Sequence, residues 1–372
     1  MKTIFWVAGE KSGDTHGAKV LEMFPDVNHV GIGGPLMQNH GLKVLFPFER
    51  FCVMGFAEVI THLPFFIMVE RTIKKYLISN KPDLIILIDY PGLNMRIAKL
   101  AHSLKIKVLY YICPQFWAWK QHRILKLKKY CDFVACILPF EKDMLDLHGI
   151  KNEYVGHPVI EEIDVSYLKN EFAQKFGLDI NKKWISFFPG SRLNEVIRLL
   201  PIFLKTIVKL NTIKPDFELL ISKSNSISDK EFSKLLTVKD ANYKLINDHS
   251  HEMMKYATFS IVKSGTSTFE AASIGKPFAI VYIANNISYL IAKKIIKVKY
   301  IGLPNLIFGK SVIKELIQHD VNPNKIIDTI LSCTDNLTEY ENQTEALKGF
   351  QKHMGDKSAS KNVFQIIKQL LL

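Results

Sequence analysis

Short apolar runs alternate with amphipathic helical patterns along almost the whole chain of 372 residues. This alternation is typical of parallel β-sheets covered by helices, because each parallel strand pair needs a crossover connection that is usually a helix. In the first half, the runs predict strands at Thr3–Ala8, His29–Ile32, Leu84–Ile88, Lys107–Ile112, Phe133–Ile137 and Tyr154–Val155. In the second half, they predict strands at Trp184–Phe188, Phe217–Ile221, Tyr243–Ile246, Phe259–Val262 and Phe278–Ile280. The sequence therefore indicates an α/β protein made of two sequential halves that are joined once.

Chain length and one polar stretch set the expected domain boundaries. A chain of this size usually forms two domains, and Glu161–Lys183 has the composition of a linker between them. We expect a first domain over residues 1–160, completed by a C-terminal helix over 345–372, and a second domain over 175–344.

Composition excludes several classes of protein. Hydrophobic residues make up 48% and charged residues 23%, which indicates a folded chain and not a disordered one. No stretch offers the roughly 20 uninterrupted apolar residues that a membrane span needs. The five cysteines are odd in number and scattered, and we interpret them as reduced thiols of a cytosolic protein. The net charge of +13 indicates an anionic partner, either nucleic acid, a membrane surface or a phosphorylated substrate.

Two segments of the first half could carry chemistry. In KPDLIILIDYPGLN, Asp89 follows a predicted buried strand, where a cleft can raise its pKa and orient it as a general base. The alternative is an aspartate that only caps the following turn. The loop AGEKSGDTHGA after the first strand lacks the spacing of the dinucleotide fingerprint. It is either a turn that lets a ligand approach backbone amides or a plain tight turn.

Two strand-to-helix turns of the second half suit a nucleotide diphosphate. The first, in FFPGSRLNEV, combines backbone donors with a planar guanidinium. The second, in VKSGTSTFEAAS, combines backbone amides and hydroxyls with a carboxylate one helical turn further on, which can accept hydrogen bonds from ribose hydroxyls. Simple helix capping is the alternative for both. The candidate contacts are Gly190, Ser191, Arg192, Ser264, Gly265, Thr266 and Glu270.

Other tempting patterns fail or stay ambiguous. His251–Lys255 reads HEMMK and lacks the second histidine of a zinc site, so we expect no metal there. The basic stretches Lys120–Lys129 and Lys293–Lys299 are interpreted as solvated helix faces. The run CPQFWAW places Phe116, Trp117 and Trp119 beside the first of them, an arrangement that suits RNA or a lipid interface equally.

Taken in order along the chain, the distinctive segments read AGEKSGD, GIGGPLMQNHG, MGFAEVITHLP, IDYPGLN, CPQFWAWKQHR, LPFEK, VGHP, PGSRLNEV, SGTSTFEAA and KYIGLPNLIFGK. Together they resemble the lipid A disaccharide synthase family over nearly the full chain. The resemblance implies a glycosyltransferase of the GT-B fold, an α/β architecture with two Rossmann-like domains facing a central cleft. It also implies that neither a catalytic metal nor another cofactor is used. Members join UDP-2,3-diacylglucosamine to 2,3-diacylglucosamine 1-phosphate, release UDP and form a β-1,6-linked disaccharide in lipid A synthesis.

The resemblance also assigns roles to particular residues. Asp89 matches the family's essential aspartate, Arg192 the arginine of its PGSR turn, and Glu270 the acidic residue expected at ribose. Asn305 of the LPNL segment joins the UDP contacts. The implied acceptor and cleft residues are Glu10, Ser12, Gly13, Asp14 and Gln115.

Two positions depart from the family pattern. The family usually has a second aspartate where Gly92 stands, which leaves Asp89 as the better single candidate for the base. Its LPNL segment usually continues to an arginine where Lys310 stands, which keeps the charge but loses the bidentate fork.

The implied reaction is a single inverting displacement, with Asp89 taking the proton of the acceptor's 6-hydroxyl. Uracil and ribose should bind the second domain, and acyl chains the first. One alternative is a UDP-sugar 2-epimerase of the same architecture, which would need no apolar acceptor surface. The other is a basic RNA-binding protein, which would explain the charge but not Asp89 and Glu270 at one cleft. We therefore expect no nucleic-acid partner.

Both implied substrates are acylated lipids, so the protein must reach a membrane. We expect a cytoplasmic protein that lies peripherally on the anionic cytoplasmic face of the inner membrane, with segment 51–69 dipping into the interface. The alternative is that this apolar segment is core. A homodimer is left open. The expected membrane or acyl-chain contacts are Met54, Phe56, Ile60, Leu63 and Phe66.

Overall fold

The computed structural model describes residues 1–51, 63–117, 123–285, 289 and 298–372. They form two compact units, Met1–Glu161 with Asp356–Leu372, and Glu162–Gly355. Each unit contains one parallel sheet covered by helices, so the predicted α/β class with two parallel-sheet domains is confirmed. Within the described ranges, no helix combines the length and apolar character that crossing a membrane requires.

The first unit is built on a seven-stranded sheet. Its strands are β1 (Thr3–Ala8), β2 (Asn28–Ile32), β3 (Lys43–Val44), β4 (Leu84–Ile88), β5 (Lys107–Tyr111), β6 (Phe133–Cys136) and β7 (Asn152–Tyr154). Its helices up to β7 are α1 (Lys11–Leu21), α2 (Pro35–Asn39), α3 (Leu63–Asn80), α4 (Pro91–Ser103), α5 (Ile124–Tyr130) and α6 (Pro139–Leu147). The strand order is β3-β2-β1-β4-β5-β6-β7, and every pair is parallel. All residues of β4 are at most 1% exposed, which is why this strand reads as an unbroken apolar run.

The second unit repeats the pattern with six strands. These are β8 (Lys183–Phe188), β9 (Phe217–Lys223), β10 (Lys244–Asn247), β11 (Phe259–Lys263), β12 (Phe278–Tyr282) and β13 (Glu315–Ile317). The helices are α7 (Lys169–Phe176), α8 (Leu193–Ile213), α9 (Asp229–Ser233), α10 (Ser250–Tyr256), α11 (Thr266–Ile274), α12 (Leu303–Phe308), α13 (Pro323–Thr334) and α14 (Leu337–Met354). The order β10-β9-β8-β11-β12-β13 is again wholly parallel.

The C-terminal region differs from the single helix predicted over 345–372. It forms α14 and a separate helix, α15 (Ala359–Leu371), because Gly355 adopts a left-handed φ of 67° that ends α14. In α14, Phe350 packs against Phe269 of the second unit, with ring centroids 5.4 Å apart. In α15, the buried Val363 and Ile367 join the core beneath the first sheet.

The polar stretch predicted as a linker is partly folded. It contains α7, whose Phe172 is fully buried against Trp184 and His249 of the second unit. Phe176 adds a second contact with His249, at 5.3 Å between ring centroids, so aromatic side chains pack this polar helix against the unit.

Four cysteines lie in the described ranges, and all four are free: Cys113, Cys131, Cys136 and Cys333. The fifth, Cys52, falls outside the described residues.

Candidate active site

Functional side chains of the first unit follow the carboxyl ends of its strands. Glu10 comes after β1, Asp89 after β4 and Glu141 shortly after β6. Because every strand pair of this sheet is parallel, these loops leave the sheet at the same edge. Residues far apart in sequence are thereby brought to one site.

Asp89 has an unusual backbone that neighbouring side chains hold in place. Asp89 and Tyr90 are consecutive non-glycine residues in the left-handed region, with φ of 45° and 46°. Such conformations cost about 1–3 kcal/mol each and persist only where the surroundings fix them. The carbonyl oxygen of Asp89 accepts hydrogen bonds from the Tyr110 hydroxyl at 2.6 Å and the Asn94 side-chain amide at 2.7 Å. Both donors are fully buried.

The surroundings of Asp89 raise the pKa of its carboxyl group above the ordinary value for aspartate. Burial raises the pKa of its carboxyl group to about 6, and the negative charge of Glu10 adds to the rise. A hydrogen bond from the Tyr90 amide and the nearby His16 act in the opposite direction. The group is therefore mostly ionised at neutral pH, yet basic enough to accept a proton.

The other predicted acceptor residues lie at different depths around this edge. Asp14 is buried, and its carboxylate accepts hydrogen bonds from the amides of Gly34 at 2.8 Å, Leu36 at 3.0 Å and Met37 at 3.0 Å. Asp14 thus anchors the start of α2. The remaining predicted residues are the exposed Ser12 and Gln115, the buried Gly13 and the partly buried Glu10.

Glu141 belongs to the same edge but was missed as a site candidate from the sequence. It is 1% exposed, and burial raises the pKa of its carboxyl group to about 7. It accepts hydrogen bonds from the Trp117 indole at 3.0 Å and the Leu138 amide at 3.1 Å. The segment LPFEK was the available signal. Phe116 is buried, and the partly buried Trp117 packs on Phe140 with ring centroids 5.1 Å apart, so these two aromatic side chains contact the protein interior; Trp119 lies outside the described residues.

The two predicted diphosphate turns lie on adjacent strands of the second unit. β8 pairs with β11, so the turn after Phe188 and the turn after Lys263 are neighbours. Gly190 has a φ of 109° and Gly265 a φ of 153°, backbone conformations that glycine adopts readily. Around them, Ser191, Arg192, Gly265 and Thr266 are exposed, whereas Ser264 is buried.

Two charged contacts surround these turns. Lys263 Nζ lies 2.5 Å from the carboxylate of Glu195. Glu270 lies 3.9 Å from the Nε2 atom of His251, and the proximity of this carboxylate is the main cause that raises the pKa of His251. His251 was not predicted as a site residue because it completes no zinc motif. Its proximity to Glu270 depends on the packing of α10 against α11.

Asn305 and Lys310 lie in environments that the LPNL segment did not indicate. Asn305 is fully buried, donates to the Ile313 carbonyl at 2.7 Å and the Glu315 carboxylate at 2.8 Å, and accepts from the Ile313 amide at 2.9 Å. Its amide therefore ties α12 to the segment before β13. Lys310 lines a cavity of about 630 Å³ with Phe259 and Phe278, at the amino ends of β11 and β12. This edge is opposite to the diphosphate turns.

The predicted membrane segment is described only in part. Met54, Phe56 and Ile60 lie outside the described residues, and Leu63 begins α3 with no description of its side chain. Phe66 is partly buried and packs on Phe65, with ring centroids 5.5 Å apart. The two residues that follow, Ile67 and Met68, are exposed by 38% and 42%.

Comparison with known proteins points to one family. A family model described as Lipid-A-disaccharide synthetase matches residues 4–368. The lipid-A-disaccharide synthase of Trichlorobacter lovleyi is 37% identical over 333 residues, covering 88% of this chain and 87% of the relative.

Solved structures share the fold at low sequence identity. The calicheamicin glycosyltransferase CalG4 gives a TM-score of 0.65 at 12% identity, covering 100% of this chain and 98% of its own. A UDP-GlcNAc 2-epimerase from Neisseria meningitidis, bound to UDP-GlcNAc, gives 0.60 at 18% identity, covering 99% and 100%. These similarities support the GT-B type of fold and no particular activity.

We expect the carboxyl group of Asp89 to titrate near pH 6 in an NMR experiment on protein carrying labelled aspartate. The change Glu10→Gln should lower this pKa, because it removes a negative charge that disfavours the ionised form. Asp83, at the other end of β4, is the internal control: the Thr3 amide lowers its pKa, and Glu10→Gln should leave it unchanged. An Asp89 that titrates together with Asp83 would contradict the burial argument.

Proposed function

The chain belongs to the lipid-A-disaccharide synthetase family, and from this premise we propose which substrates it joins and which residues act on them. It is a glycosyltransferase of lipid A synthesis. The donor is UDP-2,3-diacylglucosamine and the acceptor is 2,3-diacylglucosamine 1-phosphate. The products are the β-1,6-linked disaccharide 1-phosphate and UDP.

Asp89 acts as the general base. Its carboxylate takes the proton of the acceptor's 6-hydroxyl while that oxygen forms a bond to C1 of the donor sugar. The bond between C1 and the diphosphate oxygen breaks at the same time, and UDP leaves with the electron pair, so the configuration at C1 inverts. The observation that carries this assignment is the fixed left-handed backbone of Asp89, together with its raised pKa. General-base help is typically worth ~10²–10⁴ in rate.

The second unit binds the UDP moiety. Arg192 and the backbone amides of the two turns stabilise the negative charge that develops on the leaving diphosphate. Glu270 accepts hydrogen bonds from the ribose hydroxyls. We propose that these groups replace a catalytic metal and that no organic cofactor takes part.

The two alternatives from the sequence are not favoured. The 2-epimerases share the fold at identities of 18% or less among the structures compared, whereas the synthetase family model covers residues 4–368. An RNA-binding function would leave the left-handed backbone and the raised pKa of Asp89 without a use.

Membrane contact is proposed for the start of α3. Ile67 and Met68 expose apolar surface, and Arg71 and Lys74 line an adjacent groove of about 270 Å³, in which Arg96 is paired with Glu70. Cations near an anionic surface contribute ~1 kcal/mol each. The protein would then lie peripherally on the cytoplasmic face of the inner membrane. A homodimer stays a prediction without further support.

The change Asp89→Asn should reduce turnover by about 10²–10⁴, since the amide is nearly isosteric but cannot accept the proton. UDP affinity and thermal stability should stay close to wild type. The measurement is UDP release with the two acylated sugars, and Asp83→Asn is the control at the other end of the same strand. Wild-type turnover in Asp89→Asn would give the role of base to another carboxylate, Glu10 or Asp14.

The changes Arg192→Ala and Glu270→Ala should each weaken UDP binding in calorimetry, because a charge-assisted hydrogen bond is worth about 1.5–3 kcal/mol. Glu270→Ala should also weaken uridine binding, because Glu270 is proposed to bind the ribose. Arg192→Ala should leave uridine binding unchanged, because uridine lacks the diphosphate. Arg198→Ala is the matched control, an exposed arginine further along α8. Wild-type UDP affinity in both test variants would remove these residues from the site.

The double change Ile67→Ser with Met68→Ser should release the protein from anionic vesicles in a flotation assay. Both side chains are exposed, so little stability should be lost, unlike at Phe66 in the aromatic cluster. Leu147→Ser, which changes a leucine exposed by 84% in the same unit, is the control. Unchanged flotation of the double variant would place the membrane contact elsewhere.

A further inference from the structure

Lys263 occupies a position that the proposed chemistry has not used. It is the last residue of β11 and directly precedes the turn Ser264–Thr266. Its Nζ lies 3.7 Å from where a Cβ on Gly265 would stand. The ammonium therefore lies beside the exposed backbone of this turn.

The partner of Lys263 comes from the other diphosphate turn. Glu195 lies in the first turn of α8, and its Oε1 is 2.5 Å from Lys263 Nζ. A side chain on Gly190 would collide with the same carboxylate, so Glu195 packs directly on the PGSR turn. The ion pair bridges both turns, and its side chains are only 19% and 18% exposed.

We propose that Lys263 binds the diphosphate of the nucleotide, and that Glu195 holds its ammonium in place while no nucleotide is bound. This inference rests on the proposed UDP-sugar function and adds a cation that the family motifs did not indicate. The diphosphate is negatively charged, and the ammonium group of Lys263 is a compact positive charge on a flexible stem, so it can bind a phosphate oxygen in place of Glu195.

The two members of the pair should act on binding with opposite sign. Lys263 attracts the diphosphate, whereas the Glu195 carboxylate repels it from the same turn. An ion pair with a purely structural role would behave differently, because loss of either partner would leave the other charge partly buried and would disturb both turns alike.

The test is calorimetric titration of the full chain with UDP and, separately, with uridine, which lacks the diphosphate. Lys263→Met should weaken UDP binding by about tenfold or more and leave uridine binding unchanged. Glu195→Gln should strengthen UDP binding and leave uridine binding unchanged. Lys263→Arg should keep most of the UDP affinity because it keeps the charge. Lys214→Met, which breaks the ion pair with Asp335 at the amino end of β9, is the control and should change neither titration.

Two results would overturn the inference while the proposed function stands. One is wild-type UDP affinity in Lys263→Met. The other is a parallel loss of UDP and uridine binding in both Lys263→Met and Glu195→Gln, which would make the pair structural. Wild-type protein that binds neither ligand would instead overturn the proposed function, and this inference with it.

Discussion

Parallel pairing of the strands is the constraint on which both sites depend. In a parallel sheet the backbone groups of the inner strands bond to neighbouring strands, and every strand ends at the same edge. The loops after the strands are therefore the parts whose polar groups can meet a ligand. This is why Glu10 and Asp89 reach one edge of the first sheet although they are far apart in the sequence, since β1 pairs with β4. It is also why two turns of the second unit become neighbours when β8 pairs with β11.

Asp89 shows how the core holds a strained backbone in place at the position that we propose as the base. Tyr110 belongs to β5 and Asn94 to α4, and both are fully buried. Their donors converge on the Asp89 carbonyl, so the interior of the sheet and the next helix fix the backbone from two sides. A buried hydrogen-bond donor is costly to leave unsatisfied. The left-handed conformation of Asp89 therefore gives the buried Tyr110 hydroxyl an acceptor, and this hydrogen bond in turn stabilises the conformation.

The sequence predicted the long apolar strands well, because burial on both faces leaves an unbroken run such as β4. It could not predict β3 or β13, which have two and three residues and carry no periodicity. Asp14 and Asn305 could not be recognised as anchors of α2 and α12, since their partners are set by tertiary packing. Lys263 and Glu195 are 68 residues apart, and only the strand order brings them together.

The distribution of charge separates the two kinds of chemistry. Around Asp89, the neighbouring carboxylate of Glu10 raises the pKa and favours proton acceptance, but it would repel a phosphate group. The turns of the second unit carry Arg192 and Lys263 instead, and the one carboxylate packed on the PGSR turn, that of Glu195, is paired with Lys263. A base and a diphosphate site make opposite electrostatic demands. Each sheet carries side chains that suit its proposed role: the first has the carboxyl groups of Glu10 and Asp89, and the second has cations beside its turns, where Glu195 lies against Lys263 and Glu270 against His251.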